Sequence, residues 1–444
     1  MGLLPLVIET SAADSPALKG QPSKLYVETT TRCNLACPMC VKQTWGNDMA
    51  EGSLAPAVYE RLRPAFPHLD ALILNGIGEP LLHPQLDAFI RTAKEAMPEG
   101  SWVGFQSNGL LLDQARARSL VAAGLDRICI SVDSVDPAVY RTVRSGGEFG
   151  DLERAFAVLL DAKRNVTAST IRVGIEFVVM RDNLRQLPGV LSWAARHGVT
   201  FAVVTHLLPY HQAMAANAAY DANTDSAIAL FGQWRERASR EGIDLQLYPA
   251  VFLKYAKTAG DLKVIEIVES MKTDAVSRGV FLHLEKLFGM SESRAREVQS
   301  VFDEARAVAA ETGIALELPL AVPKSVRKCD FVEEGAAFVS WDGNVHPCYF
   351  LWHHYRCFLD GHEKLVKPKV FGSLFELGIL EIWNSPTYRQ FRQNVIGYDY
   401  PYCFNCSFAL CDSVSTDDFE QDCYLNTEPC AACLWCQGVF HCLR

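Results

Sequence analysis

The chain has 444 residues, of which 49% are hydrophobic and 21% are charged, and its formal net charge is −10. This composition is typical of a folded globular protein, and the length favours two or three domains. Because phosphate binding needs clustered cations, an acidic chain without a Lys/Arg run predicts no nucleic-acid partner. No apolar run approaches the ~18 residues that cross a bilayer, and the opening MGLLPLVIE lacks a basic flank, so we expect neither a membrane span nor a signal peptide.

Six short β-branched runs alternate with amphipathic helical stretches in the first half of the chain. The predicted strands cover residues 25–30, 71–75, 102–106, 127–132, 171–179 and 200–206. Six strand–helix units in succession predict an α/β fold with a parallel sheet and right-handed crossovers, closing into a partial (β/α)6 barrel similar to a TIM barrel. Polar motifs follow the first four strands, at the ends where such barrels carry their reactive groups.

The sequence pattern changes in the later part of the chain. Residues 211–320 are mostly helical, and from residue 321 short strands, turns and cysteines replace the helices. The stretch AAFVSWDGNVHPC predicts a hairpin in which Asp342 and Gly343 supply the positive φ angles of a tight turn. We therefore predict four parts: an N-terminal extension (1–23), the barrel (24–210), a helical bridging insert (211–320) and a cysteine-rich domain (321–444).

The fifteen cysteines are unevenly distributed. Three lie within residues 33–40, Cys129 stands alone in a strand, and eleven lie between Cys329 and Cys442. We expect a cytoplasmic location, where the reducing environment disfavours disulfides and favours metal ligation by clustered cysteines. Cys129 is expected to be a buried small side chain.

Cys33, Cys37 and Cys40 have the spacing C-x3-C-x2-C directly after the first predicted strand. Three thiolates leave one position of a four-ligand site open for a substrate or cofactor. This motif resembles that of the radical S-adenosylmethionine (SAM) superfamily, in which the thiolates hold a [4Fe–4S] cluster whose fourth iron binds SAM. The resemblance implies that these three cysteines are metal ligands and catalytic, and that one-electron reduction releases a 5′-deoxyadenosyl radical. The alternative is a zinc-like triplet or three buried cysteines, which the following motifs weaken.

Further motifs follow strands two to four. The segment GIGEP, from Gly76 to Pro80, resembles the GGEP motif of the same family with one residue inserted. The resemblance implies that Gly76 and Gly78 let the backbone approach the ligand and that Glu79 accepts a hydrogen bond from the methionine ammonium group. Five more residues match positions where the family binds the ribose and methionyl parts of SAM; they are Ser107, Asn108, Ser131, Asp133 and Arg144. Such residues also cap helices, so their ordered recurrence at strand ends carries the argument.

The C-terminal cysteines resemble the SPASM extension of radical enzymes that modify peptides and proteins. Its opening pattern, a cysteine followed by Gly-x4-Cys, is present as Cys329, Gly343 and Cys348. The resemblance implies one or two auxiliary [4Fe–4S] clusters, for which the candidate ligands are Cys329, Cys348, Cys403, Cys406, Cys411, Cys423, Cys430, Cys433, Cys436 and Cys442. Two clusters need at most eight thiolates, so their assignment stays open. A zinc-bound module is the alternative, because C-x2-C pairs also form zinc knuckles.

The substrate is less well defined by the sequence. Tyr349 occupies the position of the catalytic carboxylate of sulfatase-maturing relatives, which disfavours formylglycine formation. The ending NTEPCAACLWCQG resembles SPASM proteins that mature metalloenzymes, including tungsten-pterin oxidoreductases. We expect a radical SAM enzyme that modifies a peptide, protein or protein-bound cofactor, with reduced flavodoxin or ferredoxin as electron donor. The alternatives are a ribosomal-peptide tailoring enzyme that forms thioether or C–C crosslinks and a non-catalytic iron–sulfur electron-transfer protein.

Overall fold

The computed structural model of the protein describes residues 15–43, 49–166, 169–406 and 419–444. The strands are β1 (Lys24–Val27), β2 (Ala71–Ile73), β3 (Trp102–Ser107), β4 (Arg127–Ser131), β5 (Arg172–Val179), β6 (Phe201–His206), β7 (Ala315–Glu317), β8 (Ala336–Val339), β9 (Asn344–His346), β10 (Tyr355–Leu359), β11 (His362–Val366) and β12 (Gly372–Ser373). The α-helices are α1 (Pro56–Glu60), α2 (Leu86–Ala96), α3 (Gln114–Ala122), α4 (Pro137–Val143), α5 (Phe149–Asn165), α6 (Leu187–Arg196), α7 (Gln212–Ala215), α8 (Asp225–Arg240), α9 (Tyr248–Leu253), α10 (Ala259–Ser277), α11 (Leu284–Phe288), α12 (Glu292–Thr312), α13 (Asp330–Glu333), α14 (Ile379–Trp383) and α15 (Pro386–Gly397).

One ten-stranded sheet forms the framework of the molecule. β1 to β7 are parallel neighbours in chain order, with Lys24 opposite Ala71 and Ala71 opposite Trp102 in the first two pairs. The first six strands confirm the predicted (β/α)6 arrangement, and each begins within one residue of its predicted start. The helices cover the outer face of the sheet and the interior side chains cover much of the inner face, which explains the nearly continuous apolar runs of the strands. In β6, for example, every residue is buried.

The sheet continues beyond the predicted barrel at both edges. β7 pairs with β6, and β8 pairs in parallel with β1, so that Lys24 lies between Ala71 and Ala336. β9 and β12 then extend the sheet in antiparallel pairs. Because β8 pairs with β1, it satisfies backbone groups that an open barrel edge would leave exposed. The sheet therefore crosses the boundary that we expected at residue 321.

The predicted hairpin is present as β8 and β9, with Phe338 opposite His346 and Val339 opposite Val345. Of the two expected positive φ angles, Gly343 has one, at +80°, and Asp342 does not. The N–H of Gly343 donates to the Ser340 carbonyl oxygen at 2.8 Å. The turn thus needs glycine at one position only.

The helices between β6 and β7 divide into two groups. α8 to α11 enclose a small core of their own, which includes Phe231, Val268 and Met271. α12 instead packs against α6, and Phe302 belongs to the main core, so α12 serves as the crossover helix from β6 to β7. Within the described residues, the helices are too short or too polar to span a membrane.

Candidate active site

The loops after the parallel strands and the C-terminal segment enclose a cavity of about 300 Å³. These loops lie at the carboxyl ends of the strands, where parallel barrels carry their active sites. Ten of the predicted site residues line the cavity; they are Cys33, Cys37, Cys40, Gly76, Gly78, Glu79, Ser107, Asn108, Ser131 and Arg144. The structure therefore brings together motifs that are separated by more than one hundred residues in the sequence.

The three cysteines lie on the loop that follows β1. The N–H of Cys40 donates to the Cys37 carbonyl oxygen at 3.0 Å, and the loop then enters a short 3-10 helix, Val41–Gln43. Burial raises the pKa of Cys33 and raises that of Cys40 to about 11. The protein alone thus holds these two groups as neutral thiols, and a bound metal must displace their protons. Sulfur donors from one loop suit an iron–sulfur cluster with an open iron.

Gly76 and Gly78 allow the second loop to lie against the first. A Cβ atom on Gly76 would lie 2.3 Å from the Glu28 side chain, and one on Gly78 would lie 2.3 Å from the Thr30 carbonyl oxygen. The Gly78 N–H donates to that same oxygen at 3.1 Å. Both glycines line the cavity. The close contact that requires glycine, however, is with Glu28 and Thr30 of the first loop. The sequence analysis expected a close contact with the ligand.

Glu79 holds three parts of the site together. Its Oε1 accepts from the Leu81 N–H at 3.0 Å and from the Ser107 hydroxyl at 2.7 Å, and its Oε2 accepts from the Asn108 N–H at 2.8 Å. The Asn108 side chain in turn donates to Asn34 Oδ1, in the cysteine loop, at 2.9 Å. Burial raises the pKa of Glu79, and these hydrogen bonds oppose that effect. Oε1 thus accepts two bonds and Oε2 one, so Oε2 retains capacity for an ammonium group.

Arg144 is fixed in the cavity wall by a buried ion pair. Its Nε and Nη2 atoms both lie 2.6 Å from Asp133 Oδ2, and Asp133 Oδ1 accepts from the Val178 N–H at 2.8 Å. Asp133 is completely buried, so it orients Arg144 and does not line the cavity. The Nη1 atom of Arg144 is 4.0 Å from Cys37 Sγ. The guanidinium group is therefore beside the thiols, where it can pair with a ligand carboxylate.

The cavity is also lined by polar side chains that the sequence analysis did not identify as site residues, and four of them are connected by hydrogen bonds: Asn75, Gln106, Glu176 and Tyr349. The Tyr349 hydroxyl donates to Asn75 Oδ1 at 2.8 Å, and Asn75 Nδ2 donates to Gln106 Oε1 at 2.6 Å. Burial raises the pKa of Glu176 to about 7, although Arg144 and a hydrogen bond from Gln106 oppose the rise. The acidic residue inside the apolar run VGIEFVV was the sequence signal for Glu176.

A second, enclosed cavity collects predicted ligands of the auxiliary cluster. Aromatic and aliphatic side chains and Arg327 also line it, but no Asp, Glu or His is among its lining residues. Sulfur alone is therefore the available donor, which suits an iron–sulfur cluster. The five cysteines in its wall are Cys329, Cys348, Cys430, Cys433 and Cys436.

In a zinc knuckle the ligands converge on a single ion, and the cysteines of the second cavity are not arranged in this way. Within the described part of the chain, no three His, Cys, Asp or Glu side chains converge closely enough to hold one metal ion. A [4Fe–4S] cluster is bound through separate iron atoms, so its thiolates need not meet at one point.

The remaining predicted ligands lie elsewhere. Cys442 lines the first cavity, and the Trp435 indole N–H donates to its Sγ at 3.3 Å. Cys403 is buried, Cys406 is half-buried and Cys423 is exposed. Cys411 lies outside the described residues. A role for these residues in a second auxiliary cluster remains a prediction.

Two parts of the chain match known families. Residues 27–187 match the radical SAM superfamily, and residues 329–407 match the SPASM iron–sulfur cluster-binding domain. The first range contains the thiol loop and the SAM-site motifs, and the second contains Cys329 and Cys348. The chain belongs to the radical SAM superfamily and carries a SPASM domain. It is an enzyme whose cofactors are SAM and [4Fe–4S] clusters, including auxiliary ones.

Several relatives are similar over different parts of the chain. A Pyrococcus furiosus protein, the tungsten-containing aldehyde ferredoxin oxidoreductase cofactor-modifying protein, is 28% identical over 423 residues, covering 94% of this chain and 96% of that protein. A PqqA peptide cyclase of Gluconobacter oxydans is 28% identical over 195 residues, 44% of this chain and 51% of that one. A probable GTP 3′,8-cyclase of Methanococcus maripaludis is 23% identical over 175 residues, 39% of this chain and 56% of that one.

Among solved structures, Streptococcus suis SuiB bound to its precursor peptide SuiA is similar, with a TM-score of 0.50 and 12% identity. The match covers 88% of this chain and 71% of that one. At this identity the likeness shows the fold alone.

Proposed function

We propose that this radical SAM enzyme modifies the cofactor of a metalloenzyme of the tungsten-containing oxidoreductase type. One observation carries this proposal: the Pyrococcus furiosus cofactor-modifying protein matches nearly the whole chain, including the helical insert and the cysteine-rich end. The cyclases match only about half of their own length. The part that distinguishes this chain from a bare barrel is therefore shared with the cofactor-modifying protein.

The residues in the first cavity have defined tasks in this proposal. Cys33, Cys37 and Cys40 hold the SAM-binding cluster, while Glu79 and Arg144 orient the amino and carboxylate groups of SAM. When bound there, cluster and SAM together supply a 5′-deoxyadenosyl radical that removes hydrogen from carbon.

The second cavity is assigned to an auxiliary cluster held by four of its five cysteines. A cluster beside the substrate cavity can pass single electrons to or from it, and we infer a reduced flavodoxin or ferredoxin as the external donor. We also infer a cytoplasmic location. The chain has fifteen cysteines, and a reducing compartment keeps cysteines available as metal ligands.

SAM cleavage is tested with anaerobically reconstituted protein, SAM and dithionite. We expect 5′-deoxyadenosine to form with the wild type and not with the triple variant Cys33→Ala, Cys37→Ala, Cys40→Ala. Equal amounts from both proteins would show that these thiols do not hold the reactive cluster, and a lack of product from the wild type would support the non-catalytic electron-transfer alternative.

The substrate is tested by co-expression with a tungsten-containing aldehyde oxidoreductase. We expect oxidoreductase activity to depend on this chain and to be lost with the triple cysteine variant. If 5′-deoxyadenosine forms but the oxidoreductase is equally active without this chain, the maturation proposal is wrong. Crosslinking of a short precursor peptide would then favour the peptide-tailoring alternative, detected as a mass loss of two hydrogens.

A further inference from the structure

One side of the first cavity is lined by four connected polar side chains. We call Asn75, Gln106, Glu176 and Tyr349 the polar wall. Its side chains come from the ends of β2 and β3, from the middle of β5 and from the C-terminal segment directly after Cys348, and all four line the cavity. None of them belongs to the thiol loop or to the residues assigned to SAM. The polar wall is therefore available to a second ligand in the same cavity.

The hydrogen bonds of the polar wall all point in one direction. Tyr349 donates to Asn75, Asn75 donates to Gln106, and Gln106 donates to Glu176. Each of the two amides uses one of its N–H groups inside the wall, and the Glu176 carboxylate is the final acceptor of the chain. A carboxylate has about four acceptor positions, so one bond from Gln106 leaves Glu176 able to accept from a ligand.

The charges around Glu176 favour a ligand with N–H donors. Arg144 is the cation that acts on it, but Arg144 is already paired with Asp133. Asp133 also acts on Glu176, as a like charge, and is the partner of Arg144 in that buried pair. Glu176 therefore lacks a cation of its own among the described residues and remains able to accept from a ligand.

The neighbouring surfaces are flat and apolar. Tyr210, Trp352, Trp435 and Phe440 also line the cavity. Aromatic faces stack on planar rings, and a buried carboxylate binds two adjacent N–H groups in bidentate fashion. The combination is the usual one in small-molecule sites, where mostly apolar walls surround a few fixed polar groups.

We propose that the polar wall binds a planar ring with two neighbouring N–H donors, both directed at Glu176, as the 2-amino-4-oxopyrimidine edge of a pterin or a guanine presents them. This inference rests on the proposed function, because it names the chemical class of the group that is modified in the same site. Glu176 and Tyr349 are specificity-determining residues in this arrangement. The ring is held opposite the thiols and SAM.

The test uses reconstituted holoenzyme under anaerobic conditions with SAM present, and binding is followed by fluorescence or calorimetry. The probes are pterin and guanosine, with adenosine as a ring of similar size that lacks the N–H pair. Glu176→Gln replaces one acceptor oxygen by a donor without changing shape, and we expect it to weaken binding of pterin or guanosine at least tenfold. Tyr349→Phe removes the first donor of the chain and should weaken binding several-fold. Glu363→Gln, whose side chain is exposed on β11, is the matched control and should leave the binding of both rings unchanged.

The outcomes separate this inference from the proposed function. Binding of pterin or guanosine that depends on Glu176, with adenosine excluded, supports the inference; the ring that binds more tightly identifies the source. Equal binding by wild type and Glu176→Gln, or no binding of either ring, overturns it. Binding of arginine amide in place of both rings also overturns it, because a guanidinium group needs no aromatic ring. The same preparations are assayed for 5′-deoxyadenosine: its formation without ring binding refutes only the inference, and its absence refutes the enzyme assignment.

Discussion

Arg144 owes its position beside the thiols to a single buried carboxylate. Asp133 accepts hydrogen bonds from two nitrogens of Arg144 at 2.6 Å, and it also accepts one from the Val178 N–H. Such a pair is costly to break, because the remaining charge is left buried without a partner. We therefore expect Asp133 to affect SAM binding through the orientation of Arg144, not through contact with the ligand.

Asp133→Asn should therefore weaken SAM binding at least tenfold while the iron content stays that of the wild type. The asparagine keeps the shape but loses the charge that orients the guanidinium group. Equilibrium dialysis with SAM measures the effect, and Asp151→Asn, at an exposed ion pair of α5, is the matched control. An unchanged dissociation constant would show that Arg144 is positioned by other contacts.

Gly78→Ala tests the close contact between the two loops. A Cβ atom there would lie 2.3 Å from one carbonyl oxygen and 2.5 Å from another, so the loops must separate. We expect a stability loss of about 1–3 kcal/mol, typical of overpacking, together with weaker SAM binding. Gly150→Ala in α5 is the control, because a Cβ atom there meets nothing within 4 Å. Wild-type stability and SAM affinity in Gly78→Ala would contradict the packing argument.

At the scale of elements, the C-terminal segment builds part of both cavities. β8 pairs with β1, and the residues that follow β9 carry Cys348 into the second cavity and Tyr349 into the first. The chain bends at these residues, so that consecutive side chains face different cavities. A single peptide unit therefore connects the walls of the two cavities.

The double variant Cys329→Ala, Cys348→Ala should lose about four irons per chain, the content of one [4Fe–4S] cluster. It leaves three of the five cysteines in the second cavity, so the fifth thiol cannot restore a full set of four thiolate ligands. Iron and sulfide analysis gives the count, and SAM-induced changes in the spectrum of the reduced protein report the cluster that remains. Cys129→Ala, in the barrel core, should keep the full iron content. Full iron content in the double variant would exclude this cavity as a cluster site.

For the whole molecule, the helical insert is joined to the C-terminal hairpin of β10 and β11 by one charged contact. Lys286 of α11 lies 3.3 Å from Asp360, which occupies the hairpin turn with φ at +50°. Burial raises the pKa of Asp360 to about 6, although Lys286 opposes the shift. The folded protein therefore binds this proton more tightly than the unfolded chain does.

The sign of the pH effect follows from that shift. As pH rises from about 4 to about 6, Asp360 loses its proton at a greater cost in the folded state, so its contribution to stability declines and stays low above pH 6. Asp360→Asn removes the charge and suits the left-handed turn. We expect its melting temperature to exceed that of the wild type by a few degrees at pH 7, and the difference to shrink by pH 5. Asp303→Asn, exposed on α12, should show no such trend. A difference independent of pH would refute the assignment.

Much of the barrel and its thiol site could be predicted because the signals are local. The strand patterns are short and periodic, and Cys33, Cys37, Gly78 and Glu79 lie on loops whose motifs identify them. Cys129 is completely buried, as its position in an apolar strand indicated. Other features depend on contacts between distant segments. β7 and β8 join the sheet only because its two edges are open, and no periodicity in the sequence indicates which edge each one covers.

By itself, the sequence of this protein determined the order of its strands and helices, the thiol loop and the sulfur-rich end, since hydrophobic period and cysteine spacing act over a few residues. The tertiary structure decided which side chains share a cavity. It placed Cys442 in the wall of the first cavity, apart from the five cysteines of the second, and it buried Asp133 outside the cavity lining. It also joined Tyr349 to Glu176 through the amides of Asn75 and Gln106. These outcomes depend on how distant segments pack, because burial and hydrogen bonding across strands are satisfied only when the whole sheet is assembled.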